Sequence, residues 1–258
     1  MRTIAIHNQK GGTGKTTTAV SLGAAFTKRG HKVLILDVDS QGHIRKIFNI
    51  KPKYNMYDLL IEDTLVSECI VNVRKKLDCI FSDPTLGAAE LILSNQNAEG
   101  RERLLSARME LVSNYDFVLI DCSPSLNLIN QLALVYAQEL LIPINMDYLG
   151  LVGATQVIDN LNMLETELNN HTEITGVIPT FVDFRTNMTH QVIKTIQKTY
   201  KGKVLPDIRI DTKIQQAIAQ HKTIYEHDPK SRGAQDYDKL SEALLHGRSS
   251  HRRRNQTK

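Results

Sequence analysis

At 258 residues, 41% hydrophobic and 23% charged, the chain can form one large α/β domain or two small ones, and its composition is that of an ordinary folded protein. No run of eighteen apolar residues occurs and the first residues lack the long apolar core of a secretory leader, which excludes a membrane-spanning helix and argues against export. The net charge of +4 is a terminal feature: Arg248, Arg252, Arg253, Arg254 and Lys258 stand among the last thirteen residues with no acid, and without these five the chain has 27 basic against 28 acidic residues.

In chain order, short apolar runs alternate with longer amphipathic ones. Strands are expected at Thr3–His7, Lys32–Leu36, Leu77–Phe81, Phe117–Ile120, Glu139–Ile144 and Thr175–Phe181. Helices are expected at Thr16–Arg29, from Ala88 onward, at Arg101–Val112, 126–138, Val152–Glu167, Met188–Tyr200 and Ala234–Leu245. The strands read as continuous Val/Ile/Leu runs, the mark of strands covered on both faces. That pattern predicts an α/β fold built on a single, mostly parallel, doubly wound sheet flanked by helices. No Pro/Gly/Ser-rich linker or repeat interrupts it, so residues 1–245 are expected to be one domain and 246–258 a basic, disordered tail able to touch nucleic acid or anionic lipid. Cys69, Cys79 and Cys122 show neither metal nor disulfide spacing and read as buried free thiols in a reducing cytoplasm.

Between the first strand and first helix lies Asn8-Gln9-Lys10-Gly11-Gly12-Thr13-Gly14-Lys15-Thr16-Thr17. Glycines there let successive backbone N–H groups turn toward an anion, and the helix N-terminus adds partial positive charge. Lys15 is placed to reach the β- and γ-phosphates of a nucleotide, with the Thr16 hydroxyl on Mg²⁺. The strict P-loop pattern is broken at Gln9, where its first glycine should stand, and a second lysine, Lys10, follows. The segment Lys10–Thr17 resembles the deviant Walker A motif of the ParA/MinD family of P-loop NTPases. The resemblance implies that two subunits sandwich two ATP molecules, that Lys10, Gly11, Gly12, Thr13, Gly14, Lys15, Thr16 and Thr17 hold ATP, and that Lys10 reaches the partner's phosphates in trans. A point charge so placed would spread the charge that builds up during phosphoryl transfer.

Two acids end apolar runs. Leu36-Asp37-Val38-Asp39-Ser40-Gln41-Gly42 resembles the family's switch I, which gives Asp39 the task of positioning the attacking water; Ser40 replaces the usual proline. Phe117–Asp121 followed by Cys122-Ser123-Pro124 resembles Walker B with switch II, so Asp121 would hold Mg²⁺ through water. Either acid alone reads as a helix cap; two together with a phosphate loop read as a nucleotide site. Cys122 has no supporting histidine for a nucleophilic role.

The resemblance continues at Asp183-Phe184-Arg185-Thr186-Asn187 and at His227–Ala234, both similar to the chromosomal ParA/Soj branch. It implies adenine contacts near Thr180 and Ile208–Asp211, Asp211 included, although Arg209 departs from the family there. It also implies non-specific binding to double-stranded DNA through Arg185 and Lys213, with Lys198, Lys201, Lys203 and the tail arginines adding to it. Further implications are an ATP-dependent homodimer, a ParB-like or other adaptor that stimulates hydrolysis, cargo positioning, and a cytoplasmic, nucleoid-associated location. The alternative is a MinD-like membrane-cycling ATPase, but the residues after Leu245 contain no aromatic or aliphatic side chain to enter lipid. An iron-carrier or cobyrinate-ligase role lacks a C-x-x-C pair for the former.

Overall fold

The computed structural model describes residues 1–95, 100–125 and 127–255, with side chains in the last helix described through position 246. The elements run β1 (Arg2–Ile6), α1 (Lys15–Lys28), β2 (Val33–Asp37), α2 (His43–Phe48), α3 (Met56–Ile61), α4 (Val66–Cys69), β3 (Val71–Arg74), β4 (Leu77–Ile80) and α5 (Thr85–Asn95). A single 3₁₀ turn at Arg101–Arg103 leads into α6 (Leu104–Arg108), β5 (Phe117–Asp121), α7 (Leu128–Tyr136), β6 (Glu139–Asn145), α8 (Tyr148–Leu168) and β7 (Glu173–Thr180). The chain continues through α9 (Asn187–Thr199), α10 (Thr212–Ala219), α11 (Ile224–His227) and α12 (Arg232–Asn255).

The seven strands form one sheet in the order β3-β4-β2-β5-β1-β6-β7, parallel throughout except for the edge strand β3, which runs antiparallel to β4. Alternate residues of each inner strand serve opposite faces. Ile4, Ile6, Val33 and Ile35 pack with Leu22 and Phe26 of α1 and with Tyr237, Leu240 and Leu244 of α12. Ala5, Leu34, Leu36, Val118 and Ile120 face the other way, onto Leu132 of α7, Ala154 and Val157 of α8, and Val192 of α9. Two buried faces explain why the strands are apolar without alternation, as the sequence predicted.

Every expected strand is present within one or two residues at its ends. The expected helix over Arg101–Val112 is instead a 3₁₀ turn and five helical residues, because the chain closes into turns after Arg108, with Val112 N–H donating to the Met109 carbonyl at 3.0 Å. The helix expected over 126–138 is α7, with position 126 outside the described residues. The α12 backbone continues past position 245 to Asn255; the side chains of 247–255 and residues 256–258 lie outside the described residues, and the tail arginines with them. Among the described residues no helix is long and apolar enough to cross a membrane.

The central strand β1 connects leftward to β2 through α1, whereas β5 connects rightward to β6 through α7. This reversal opens a crevice at the carboxyl ends of β1, β2 and β5, where open α/β sheets take their ligands.

Candidate functional site: a phosphate loop facing three carboxylates

The loop 7–14 leaves β1 and enters α1 through two left-handed glycines, Gly12 (φ 74°) and Gly14 (φ 87°), a conformation that a side chain would strain. Gly14 supplies no side-chain cap, so the first-turn N–H groups of α1 remain available to an anion. Lys15, the first residue of α1, is buried, and its Nζ donates to the Lys10 carbonyl at 3.0 Å. Burial lowers its pKa, offset in part by the charges of Asp121 and Asp39. The Thr180 hydroxyl at the end of β7 donates to the Thr13 carbonyl at 2.9 Å and so braces the loop from behind. Gly11, Gly12, Gly14, Lys15, Thr16 and Thr17 line a cavity of about 340 Å³ together with Asp39.

The parallel register sets Asp121 beside Ile6 on one neighbour and beside Asp37 on the other. Burial, followed by repulsion from Asp37, pushes the Asp121 pKa well up, with the Thr16 hydroxyl and Lys15 working against the shift. Both oxygens of Asp121 are buried without a partner of good hydrogen-bond geometry, the Thr16 hydroxyl facing them included. Asp37 is pushed up to about 7, mainly by burial, although it accepts N–H bonds from Asp39 (3.1 Å) and Ile44 (3.4 Å). Asp39 is held by its own segment: Gln41 N–H donates to its Oδ1 at 2.9 Å, and the Ser82 hydroxyl donates to its carbonyl. Three acids crowd a buried site in which the only nearby cation is one desolvated lysine, among the described residues. An orphaned carboxylate next to a threonine hydroxyl fits a hydrated divalent cation, which satisfies both groups and removes the repulsion. His7, under the loop, is kept neutral, its pKa pushed down to about 3 by burial and then by Lys15. Burial raises all three thiols, so Cys122 is a packing residue rather than a nucleophile.

Lys10 behaves differently from Lys15. Its ammonium pairs with Asp147, the N-cap of α8, and turns away from its own phosphate cradle. Its backbone N–H donates to Asn8 Oδ1 at 2.9 Å, while Asn8 Nδ2 donates to the carbonyls of Pro143 (2.8 Å) and Gly150 (3.3 Å). The first half of the loop is thus fastened to the head of α8.

A second cavity of about 300 Å³ adjoins the first, sharing Gly14, Thr17 and Phe181 and lined also by Thr180, Ile208, Asp211 and Tyr237. The segment carrying Ile208 and Arg209 lies along the end of β7, with Ile208 N–H donating to the Pro179 carbonyl at 2.8 Å. Asp211 borders this cavity, yet its carboxylate accepts the N–H groups of Lys213 (3.0 Å) and Gly233 (2.8 Å), so it caps α10 and ties it to α12. Arg209, the family departure, also lines this cavity, and its guanidinium is held by Asp236 through two bonds of 2.9 and 2.7 Å.

Arg185 lies in the loop after β7, highly exposed and paired with Asp183 at 2.6 Å. Lys213 occupies the first turn of α10. Lys198, Lys201 and Lys203 stand at the far end of α9, roughly 20 Å along that helix from Arg185, so these two basic groups are not brought together. Sequence reading missed Asn8, Ser82, Asn130 and Asp147. Asn130 accepts from Ser123 N–H (3.1 Å) and donates to the Ser123 carbonyl (3.0 Å), clasping the turn after Asp121. Nothing in sequence spacing marks these residues, although Asp147 three residues before Gly150 has the form of a cap.

The family model described as an AAA domain matches residues 1–174. The sporulation initiation inhibitor protein Soj of Bacillus subtilis is 36% identical over 247 residues, covering 93% of this chain and 97% of Soj. Cobyrinic acid a,c-diamide synthase of Mycobacterium smegmatis, solved with an ATP analogue and magnesium, superimposes with a TM-score of 0.83 at 28% identity, covering 97% of each chain. A putative plasmid partition protein of Borrelia burgdorferi, solved with AMPPNP, gives 0.80 at 26% identity over 95% of this chain and 98% of that one. With its two-lysine phosphate loop, its paired strand-end aspartates and these relatives, the chain belongs to the ParA/Soj family of partition ATPases.

Proposed function

We propose that the protein hydrolyses ATP with Mg²⁺ as part of a dimerisation cycle. The ATP-bound homodimer binds double-stranded DNA without sequence preference, and a ParB-like or other adaptor stimulates hydrolysis. The cycle positions a cargo, such as a plasmid, a chromosome origin or another intracellular body, on the nucleoid in the cytoplasm. The single observation that carries this reading is the division of labour between the lysines: Lys15 enters its own cradle, while Lys10 points out of it to Asp147. A lysine turned outward in this way is suited to a second subunit's phosphates.

Bound at the loop, ATP with Mg²⁺ supplies the transferable phosphoryl group and a metal that neutralises its charge. Lys15 and the first-turn N–H groups of α1 would hold the phosphates, and Thr16 and Asp121 would hold the metal, Asp121 through water. Asp39, fixed by Gln41 and Ser82, orients the attacking water. The apolar cavity beyond Thr180 accepts the base. Arg185 and Lys213, doubled in a dimer, supply phosphate contacts on DNA whose number sets the salt dependence. The tail arginines add attraction that is indifferent to nucleotide.

The test is light scattering after gel filtration, paired with fluorescence anisotropy on unrelated duplexes, with ATP, with ADP and without nucleotide. A dimer and salt-sensitive DNA binding in ATP alone are expected. Equal DNA affinity in all three states refutes the switch and leaves the ATPase reading in place.

A further inference from the structure

Asp147 is engaged on three sides. Its Oδ1 accepts the Gly150 N–H at 2.8 Å as the cap of α8, and its Oδ2 accepts Asn145 Nδ2 at 2.6 Å while also pairing with the Lys10 ammonium. Burial acts to raise its pKa, but the hydrogen bond from Lys10 and the cap bond from Gly150 outweigh it and hold the carboxyl below the ordinary aspartate value. The Lys10 backbone, by contrast, cannot shift easily, since Asn8 pins it to α8. What remains free is the four-carbon stem of Lys10. Its ammonium has two anionic hosts to choose between, the Asp147 carboxylate of its own subunit or a phosphate beyond it, and movement of the stem toward the second gives up the first. The pair is partly open to water, with Lys10 23% and Asp147 43% exposed, so it is weak enough to be exchanged.

We infer that Asp147 is a positioning residue that acts through Lys10: it parks the lysine on the head of α8 in the free subunit, and ATP-dependent pairing of two subunits proceeds by exchanging Asp147 for phosphate. The inference rests on the proposed ATP dimer. Asp147 thereby sets the concentration at which the dimer forms and keeps the outward lysine from engaging other anions beforehand. Two parked lysines are released per dimer, so the effect of removing the parking charge is squared.

The test has two arms. In the nucleotide-free protein, the carboxyl of Asp147 is titrated by carbon NMR in the wild type and in Lys10→Ala; its midpoint is expected to rise in the variant, and an unchanged midpoint overturns the pairing itself. In the second arm, dimer dissociation constants in ATP are measured for the wild type, Asp147→Asn, Lys10→Ala and the double variant. Asparagine is as good an N-cap as aspartate and keeps the Gly150 bond, so the fold is retained. Exposed ion pairs are worth roughly 2- to 5-fold each, and Asp147→Asn is expected to tighten the dimer about 4- to 25-fold, an effect absent in the Lys10→Ala background. A dimer that weakens or does not change in Asp147→Asn overturns the inference. A dimer that appears in ATP only in Asp147→Asn upholds the parking role, whereas a protein that stays monomeric in ATP both as wild type and as Asp147→Asn refutes the dimer reading and the parking role with it.

Discussion

Gly153, in the second turn of α8, is the position at which the link between helix and loop can be broken without replacing a residue proposed to bind nucleotide. A Cβ there would sit 2.3 Å from Asn8 Oδ1, 3.0 Å from the Lys10 backbone nitrogen and 3.2 Å from Lys10 Cβ. Considered as a helix residue alone, Gly153→Ala should stabilise the protein by roughly 0.8–1 kcal/mol. Against that stand overpacking of about 1–3 kcal/mol and the loss of the Asn8–Lys10 bond, worth about 1 kcal/mol. The loop backbone is not a flexible side chain that can step aside, so the net cost is roughly 1–3 kcal/mol. For a domain of this size that corresponds to a melting temperature lower by roughly 2–10 °C. Because the displaced atoms belong to the phosphate loop, about 1 kcal/mol of the damage should appear in ATP binding, a loss of roughly fivefold. Differential scanning fluorimetry and isothermal titration with a non-hydrolysable analogue measure both effects. Gly87→Ala, in the first turn of α5 with nothing within 4 Å of the new Cβ, is the matched control and should not lose stability. A Gly153→Ala protein that melts higher than the wild type and binds the analogue normally would refute the coupling between α8 and the loop.

Asp39→Ala is expected to retain ATP binding and slow single-turnover hydrolysis by at least tenfold, trapping the dimer, whereas Lys15→Ala should abolish nucleotide binding. Hydrolysis at the wild-type rate would remove Asp39 from its proposed role. Asp37 has a folded-state pKa raised by burial to about 7, above its unfolded value of 3.8, so the unfolded chain releases this proton first as pH rises. The nucleotide- and metal-free protein should therefore lose stability as pH climbs from about 4 to about 7, and Asp37→Asn should flatten that slope in urea melts. Deleting residues 247–258 should lower DNA affinity in ATP and ADP alike, while Arg185→Ala should weaken mainly the ATP state. The opposite pattern in anisotropy would make the tail the switched element.

Much of the fold was legible because burial on both faces leaves a plain signature: β1, β2, β5 and β6 are runs of apolar residues that could be nothing else. The elements not foreseen are the short ones, α2, α3, α4, β3, α10 and α11, of four to eight residues each. A helix of that length completes at most two turns, too few for a 3.6-residue period to emerge. The α3 capping box of Asn55 and Asp58 was readable in principle, since the spacing is local. The phosphate loop and its two acids were legible because each lies next to a strand that positions it. The contacts that fasten them were not: Asn8 to Pro143, Thr180 to Thr13 and Lys10 to Asp147 join residues more than 130 positions apart, and no local pattern encodes them.

Three positions where the chain departs from the family pattern, Ser40, the Cys122-Ser123 step and Arg209, can be understood in the same terms. A proline after Asp39 would stiffen switch I by fixing its own φ. With Ser40 there, the segment is held instead by the Ser82 hydroxyl on the Asp39 carbonyl and by the Gln41 N–H on the Asp39 carboxylate. The tight approach of Gly42 to the Ser82 carbonyl, 2.5 Å from where a Cβ would stand, admits no other residue. After Asp121, where the family resemblance implies two prolines, this chain has Cys122-Ser123-Pro124, and Asn130 bonds to Ser123 N–H, the Ser123 carbonyl and the Ser125 carbonyl at once. At the cavity beside Thr180, the charge of Arg209 is neutralised by Asp236, which accepts two bonds from its guanidinium. In each case a restraint that a proline or an apolar residue would build into the backbone is supplied by side-chain hydrogen bonds. Such bonds can be exchanged one at a time, whereas a proline ring cannot, so the segments 39–42 and 122–125 should rearrange by breaking single side-chain bonds. Asn130→Ala, which frees the Ser123–Ser125 turn without replacing a residue proposed to hold metal or phosphate, isolates this point: hydrogen exchange of the Ser123 and Ser125 amides in the nucleotide-free protein should rise at least tenfold while that of β5 stays unchanged. Equal exchange in variant and wild type would show that Pro124 and the packing around it hold the turn, and that Asn130 merely fills space.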